Sequence, residues 1–457
     1  MISVILALPC LLSNCGSAPP QSTATASRSQ TAQTVTIPAT FFGMHVHYPT
    51  NQNQYSWPTV QFGAYRSWDD NEGVCWPSIQ HVGSEIYDWS ALDASVLKTQ
   101  SEGKEFLYTL GPSPAQPWAV IDSTSYSGGE CGTPTAPATS NEPDHTRWQQ
   151  FITKVVERYC GCTPNSHPTA RIHQYEIWNE PSLIGQNGHS TFYLPAVGNT
   201  MADSAQSMVE LSRIAYNTIK AIDPTAIVVS PSATGDTDGI DWLKEFLAGG
   251  GATYADVIGY HMYTDEEPEQ MGELVHRVRD IVDSCCPAKP VWNTEAGWMG
   301  KPLAFDEPAA WVARAYLLNW SNGAQRFYWY AWDDQWAMSI RLTTGAPPYP
   351  GHGDSRNVDG VSSAGIAYGE IYTWLVGATM SSSCSEWESG LWKCELARTG
   401  GYHGYIIWST TGAQSLSLPE SWKISQSRDL AGNRTLISNG TNVPVGIKPT
   451  LFETGTP

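Results

Sequence analysis

The chain is short of positive charge. It has 25 Lys and Arg against 44 Asp and Glu, a formal net charge of −19 over 457 residues. A surface of that sign repels phosphate backbones and anionic lipid, so nucleic acid is not an expected partner. It favours a neutral or cationic ligand, and it equally keeps an exported protein in solution. Beyond the first residues no apolar run is long enough to span a bilayer. No Gly-rich loop follows the first strand-like segment, which argues against a phosphate- or dinucleotide-binding fold. No paired C-x-x-C occurs, so a structural zinc site lacks its usual spacing. Phenylalanine is scarce, 10 residues against 20 Trp and 21 Tyr. Tyr and Trp join an apolar face to a polar edge, which suits the C–H faces and hydroxyl rims of sugar rings as well as ordinary cores.

The start, Met1 to Cys15, is an apolar run without a preceding Lys or Arg. It is too short for a mature membrane helix and resembles a secretory leader. Leu12-Ser-Asn-Cys15 looks like a bacterial lipoprotein box, with lipidation at Cys15 or simple cleavage both open. The expected localisation is secreted, periplasmic or lipid-anchored at the cell surface. Residues 16–36, rich in Ser, Thr, Ala and Gln, read as a disordered tether. Eight of the ten cysteines lie beyond the leader, an even number that suggests disulfides in an exported chain. Cys384 and Cys394 flank a hairpin-like stretch and are the best pair. Cys75 and Cys131 fall in long loops, and Cys160, Cys162, Cys285 and Cys286 do not sort. Asn319, Asn433 and Asn439 stand in N-x-Ser/Thr sequons.

Eight short apolar runs read as strands: 41–47, 62–68, 105–110, 173–178, 226–230, 257–263, 290–293 and 326–332. Helical patterns over 89–101, 145–158, 201–222, 242–247, 269–282 and 308–320 lie between several of them, and 368–376 reads as a last helix. Eight strand–helix alternations predict an α/β fold, a (β/α)8 TIM barrel over 37–378. Residues 379–457 change to short alternating runs broken by Gly, Asn and Pro, which predicts a small C-terminal β-sandwich.

Two segments carry the chemistry: Glu176-Ile-Trp-Asn-Glu180-Pro and Val291-Trp-Asn-Thr-Glu295-Ala-Gly-Trp298. Each puts a glutamate at the end of a strand, where barrel enzymes keep their reacting groups. Paired carboxylates are what glycoside hydrolysis needs: one protonates the leaving oxygen and the other attacks or activates water. A second Asn-Glu-Pro at 141–143 follows no strand, so Glu142 reads as a first-turn helix acid. His45 and His47, two apart on a strand, point to one side. They suggest sugar hydroxyl contacts or the H-x-H of a metal-dependent barrel hydrolase, a class that needs further ligands. Trp118, Trp298 and Trp336 stand in loops as stacking platforms or as packing.

Trp178-Asn179-Glu180-Pro181 on the fourth strand and Thr294-Glu295 on the seventh resemble the clan A glycoside hydrolases. The resemblance implies that Glu180 is the acid/base, Glu295 the nucleophile, and Asn179 a contact to the sugar 2-hydroxyl. It implies that Arg66 keeps Glu295 ionised and that His261 and Tyr263 close the sixth strand near it. Trp329 or Trp332 would floor the sugar site. Phe42-Gly-Met-His-Val-His47 and the trailing β-domain look most like family 39. The expected activity is retaining hydrolysis of a β-type bond in an oligo- or polysaccharide, without metal or organic cofactor. A catalytically silent carbohydrate-binding protein on the same fold stays open.

Overall fold

The computed structural model describes residues 35–50, 57–70, 72–80, 85–114, 116–122, 141–182, 192–235, 237–333, 338–344, 360–438 and 440–455. The leader, the lipidation expected at Cys15, almost all of the tether, Cys131, Asn439 and Trp336 lie outside them.

Strands at Phe42–Met44, Ala64–Ser67, Glu105–Thr109, Gln174–Glu176, Ile227–Val229, Ile258–His261, Val291–Ala296 and Ala324–Trp329 pair in parallel, in that order around a sheet. The first pairs with the eighth, and Val229 bridges Val257 just before the sixth, so the sheet closes. The fifth strand resumes at Ala233–Thr234 after Pro231, which lacks a ladder donor. This is the expected eight-stranded barrel. The observed strands are shorter than the apolar runs because flanking residues such as Val46 and His47 are buried without ladder partners.

Helices α1 (Trp76–Ile79), α2 (Ser90–Ser101), α3 (His145–Tyr159), α4 (Met201–Ile222), α5 (Asp238–Ala248), α6 (Pro268–Cys285), α7 (Glu307–Ser321) and α8 (Ser363–Leu375) complete the barrel unit. Helix α4 begins where Thr200 and Asp203 form a reciprocal capping box. Helix α3 begins on Asp144, whose carboxylate accepts the Arg147 N–H. Its inner face buries Trp148, Phe151, Ile152, Val155 and Val156. Truncating a buried ring such as Trp148 to alanine costs about 3–5 kcal/mol.

Glu142 is therefore not a first-turn acid. It lies before the cap, buried, and accepts the Ala196 N–H at 2.7 Å. Its neighbour Asn141 holds Phe192 O and the Leu194 N–H. The second Asn-Glu-Pro is a clasp between two loops.

Beyond α8 the chain forms an antiparallel sheet in the order Thr379–Glu388, Leu391–Arg398, Tyr402–Ser409, Thr450–Glu453, Gln426–Arg428, Arg434–Leu436. A separate pair, Gln414–Ser417 with Asn442–Val445, faces it across Leu391, Ile407, Leu416, Val443 and Phe452, which makes the expected sandwich. Trp408 Nε1 donates to Glu269 of α6 at 2.8 Å, and the Cys384 N–H donates to Ser321 of α7 at 2.8 Å. Thr36, expected at the end of the tether, bridges Thr379.

Cys384 and Cys394 form the expected disulfide, and Cys160 pairs with Cys162. Cys75 is disulfide-bonded, and Cys131 lies outside the described residues. Cys285 and Cys286 are thiols at the end of α6, sulfurs 2.6 Å apart. Titration of the denatured, non-reduced mature protein should therefore count at most two thiols, both mapping to Cys285 and Cys286. Eight thiols would contradict this pairing. Asn319 cannot serve as a glycosylation acceptor: it is fully buried in α7 and bonded to Asn293 and Ala315.

Candidate active site

The barrel interior alternates polar and apolar layers. Near the base, Arg326 donates to Gln174 and Glu105, beside an apolar cluster that includes Leu107, Trp292 and Tyr328. Higher up, Arg66 of the second strand is fully buried. Its Nε donates to Glu176 at 2.6 Å, Nη1 to Glu295 Oε2 at 2.7 Å, and Nη2 to Asn179 Oδ1 at 2.9 Å. Burial works against its charge, and Glu176 and Glu295 hold that charge in place.

Glu295 leaves the seventh strand at a register irregularity. Successive strand residues normally face opposite sides. Here Thr294 Oγ1 meets Ser232 Oγ at 2.8 Å, while Glu295 turns to Arg66, so both side chains face inward. Bulges beside active sites re-aim side chains in this way. The Tyr263 hydroxyl donates to Glu295 Oε1 at 2.9 Å.

Glu180 follows the fourth strand with φ 44°, in the left-handed region that few non-glycine residues adopt. Its N–H donates to Ser232 O at 2.9 Å, and Pro181 leads the chain away. Oε1 lies 2.8 Å from His261 Nδ1, which is itself 3.9 Å from Glu295 Oε1. Glu180, His261 and Glu295 each offer a ligand-type atom, and these lie within 4.8 Å of one another. Among the described residues this is the group that could receive a cation.

Burial pushes the Glu295 carboxyl up to about 7. His261 and Arg66 oppose the rise, and the charges of Glu180 and Asp69 add to it. The expectation that Arg66 keeps Glu295 ionised is corrected: its guanidinium is shared with Glu176, and burial outweighs it. Two carboxyls this close titrate as a pair, so one of them keeps a proton into the neutral range.

His45 and His47 face one side, as their spacing predicts, and both are almost wholly buried. His45 Nε2 lies 3.1 Å from Thr294 O. Burial and Arg66 hold the ring well below its usual pKa, so it is neutral. His47 Nδ1 lies 2.7 Å from Asp333, and Nε2 lies 3.0 Å from the Tyr330 hydroxyl. Despite burial, Asp333 and Asp69 raise His47 well above its usual range. Burial disfavours charge on Asp69, yet His47 holds it below the usual carboxylate range.

The tryptophans divide. Trp329 is fully buried against Tyr316, Phe327 and Trp298, so it cannot floor a sugar site. Trp332 is buried as well. Trp298 packs on Trp311 and donates to Glu266 O, a core role and not a platform. Trp118 is half-buried on the loop after the third strand.

Residues without a role in the sequence reading complete the site: Glu176, Asp69, Tyr330, Asp333 and Ser232. Their signal is weak because each acts through partners far along the chain. Glu176, inside the quoted motif, could have been singled out as an acid in an apolar strand.

A model of the glycosyl hydrolase catalytic core matches residues 193–342. No curated protein matches the sequence. Solved structures share the fold. A family 39 glycoside hydrolase from Bacteroides cellulosilyticus WH2 has a TM-score of 0.67 at 17% identity, covering 91% of this chain and 80% of that one. A family 39 β-xylosidase from Caulobacter crescentus has a TM-score of 0.60 at 17% identity, covering 93% and 98%. The catalytic domain of a family 30 xylanase C from Talaromyces cellulolyticus has a TM-score of 0.57 at 15% identity, covering 93% and 98%. The chain resembles the clan A glycoside hydrolases, and within them family 39. The likeness extends over the sandwich as well as the barrel, since more than nine-tenths of the chain is covered.

Proposed function

We propose that the protein is a retaining glycoside hydrolase that cleaves β-type bonds of an oligo- or polysaccharide by double displacement. The observation that carries this reading is the Glu180–Glu295 pair at the barrel mouth, with carboxyl oxygens within 4.8 Å. Retaining enzymes hold their carboxyls about 5–5.5 Å apart, and inverting ones leave about 6.5–9.5 Å for a water.

Glu295 attacks the anomeric carbon, steadied by Arg66 on one oxygen and Tyr263 on the other. Glu180, fixed by His261, protonates the departing oxygen. It then takes the proton of the water that releases the sugar. Arg66 donates to Asn179 Oδ1, so the amide Nδ2 faces away from it and is free to donate to a sugar hydroxyl. Export is part of the same proposal, supported by the apolar start and the disulfides at Cys160–Cys162 and Cys384–Cys394.

A metal-dependent hydrolase is the second reading, because Glu180, His261 and Glu295 could together ligate a cation. Arg66 already bonds one Glu295 oxygen, and His261 Nδ1 is engaged by Glu180, so each would exchange a partner for the metal. The test is hydrolysis of aryl β-glycosides and polysaccharides before and after dialysis against a chelator. Turnover unchanged by the chelator is expected; its loss, restored by a divalent cation, supports the metal reading. Binding of sugars without any turnover supports the silent carbohydrate-binding alternative.

The pH profile follows from the pair. The raised carboxyl is Glu295, so the pair keeps its last proton up to about pH 7, and in the reactive arrangement that proton is on Glu180. The singly protonated pair is the active form, so kcat/KM should fall as pH rises through about 7. A basic limb flat to pH 9 would contradict this assignment.

A further inference from the structure

Asp69 is a charged group at the mouth that the double displacement does not use. Its carboxylate is about one-tenth exposed. Oδ2 accepts the Tyr330 hydroxyl and lies 3.5 Å from His47 Nε2, and His47 is anchored on Asp333. Oδ1 lies 4.0 Å from His45 Nδ1, and that nitrogen is buried with no hydrogen-bond partner. His45 Nε2 donates to Thr294 O, so Nδ1 carries a lone pair. Two acceptors thus face each other with no donor between them, one residue from the nucleophile along Thr294-Glu295. The structure therefore builds a fixed carboxylate whose Oδ2 is held by Tyr330 and His47 and whose Oδ1 has no hydrogen-bond donor among the described residues.

Most of the segments that follow the strands have the same sign, and those after the seventh and eighth carry Lys301, Arg341 and Arg356. The segments after the second to sixth strands, 68–89, 110–144, 177–200, 230–237 and 262–267, contain no Lys or Arg. They contain Asp69, Glu72, Glu142, Asp265 and Glu266, among other acids, whereas burial pushes the Asp70 carboxyl up to about 8 and keeps it uncharged at neutral pH. Arg66, the cation inside the mouth, is spent on Glu176, Glu295 and Asn179. His47, a second cation there, is held between Asp333 and Asp69, so a uronate or sulfated sugar would meet like charge without a free counter-ion among the described residues. A neutral sugar brings hydroxyl donors.

Resting on the glycosidase reading, we infer that Asp69 is a specificity-determining residue: it accepts hydroxyls of the bound sugar and restricts the substrate to neutral glycans, excluding uronides. Like-charge juxtaposition in a recessed site disfavours the wrong ligand strongly, and salt weakens that discrimination.

The test uses the full mature enzyme on 4-methylumbelliferyl β-xyloside, β-glucoside, β-galactoside, β-mannoside and β-glucuronide. The best neutral substrate should exceed the glucuronide in kcat/KM by about 100-fold or more, and the ratio should shrink in 1 M salt. Asp69→Asn should lower kcat/KM on the neutral substrate about tenfold or more, chiefly through KM, and narrow the ratio. A glucuronide turned over as well as the neutral sugars overturns the inference and leaves the glycosidase reading intact. So does an Asp69→Asn enzyme, folded by circular dichroism, with an unchanged ratio. Hydrolysis of none of the five, nor of any polysaccharide, overturns both.

Discussion

Glu180→Ala should lose about 10²–10⁴-fold in kcat/KM on glycosides with poor leaving groups, because the proposed proton donor to the departing oxygen is gone. Activated aryl glycosides such as dinitrophenyl derivatives should retain most of their first step. Their leaving group needs no proton, and Glu295 still has Arg66 and Tyr263 in place. Release of the sugar should then limit turnover, because the base that activates water is gone. Azide should restore turnover: it needs no deprotonation, fits the vacated space, attacks the anomeric carbon and displaces the Glu295 carboxylate. The product should be a glycosyl azide with the configuration of the substrate. Equal losses on both substrate types would remove the acid/base role from Glu180.

Glu295→Ala should be the more damaging change, with a loss on the order of 10⁴-fold or greater on every substrate, activated ones included. No leaving group substitutes for a missing nucleophile. The variant also leaves Arg66 with one carboxylate fewer beside a buried charge. Glu295→Gln keeps the volume and a hydrogen-bond acceptor for Arg66, so it separates lost chemistry from lost folding. Steady-state rates on a dinitrophenyl glycoside, with melting temperature as the control, check both variants. A Glu295→Gln enzyme that keeps a tenth of its activity would show that another group attacks.

Much of this site is legible in the sequence because it is local. Trp178-Asn179-Glu180-Pro181 ends a strand, and proline forbids the strand to continue. Helix α4 is bounded as read, since the Thr200–Asp203 capping box and the apolar spacing agree. The parts that were not legible depend on contacts between distant residues. Arg66 meets Glu176 and Glu295 across the barrel, and only that meeting shows that one guanidinium serves two carboxylates. His45 and His47 were correctly placed on one side, but the depth of that side is set by Tyr330 and Asp333, far along the chain. Trp329 sits at the expected strand end, yet its ring turns into the core among Tyr316 and Phe327. A tryptophan suits a core and a sugar floor equally, so composition alone does not decide between them.

The most direct measurement is the anomeric configuration of the first-formed product, followed by proton NMR before mutarotation. One carboxyl oxygen of Glu180 lies within 4.8 Å of one of Glu295, and in the proposed mechanism Glu295 attacks directly and water follows on the same face. The account predicts initial sugar of the substrate's configuration, and labelling of Glu295 by a matching 2-fluoro glycoside. Initial product of inverted configuration would contradict it and would leave Glu295 as a base that activates water, even if both glutamates proved essential.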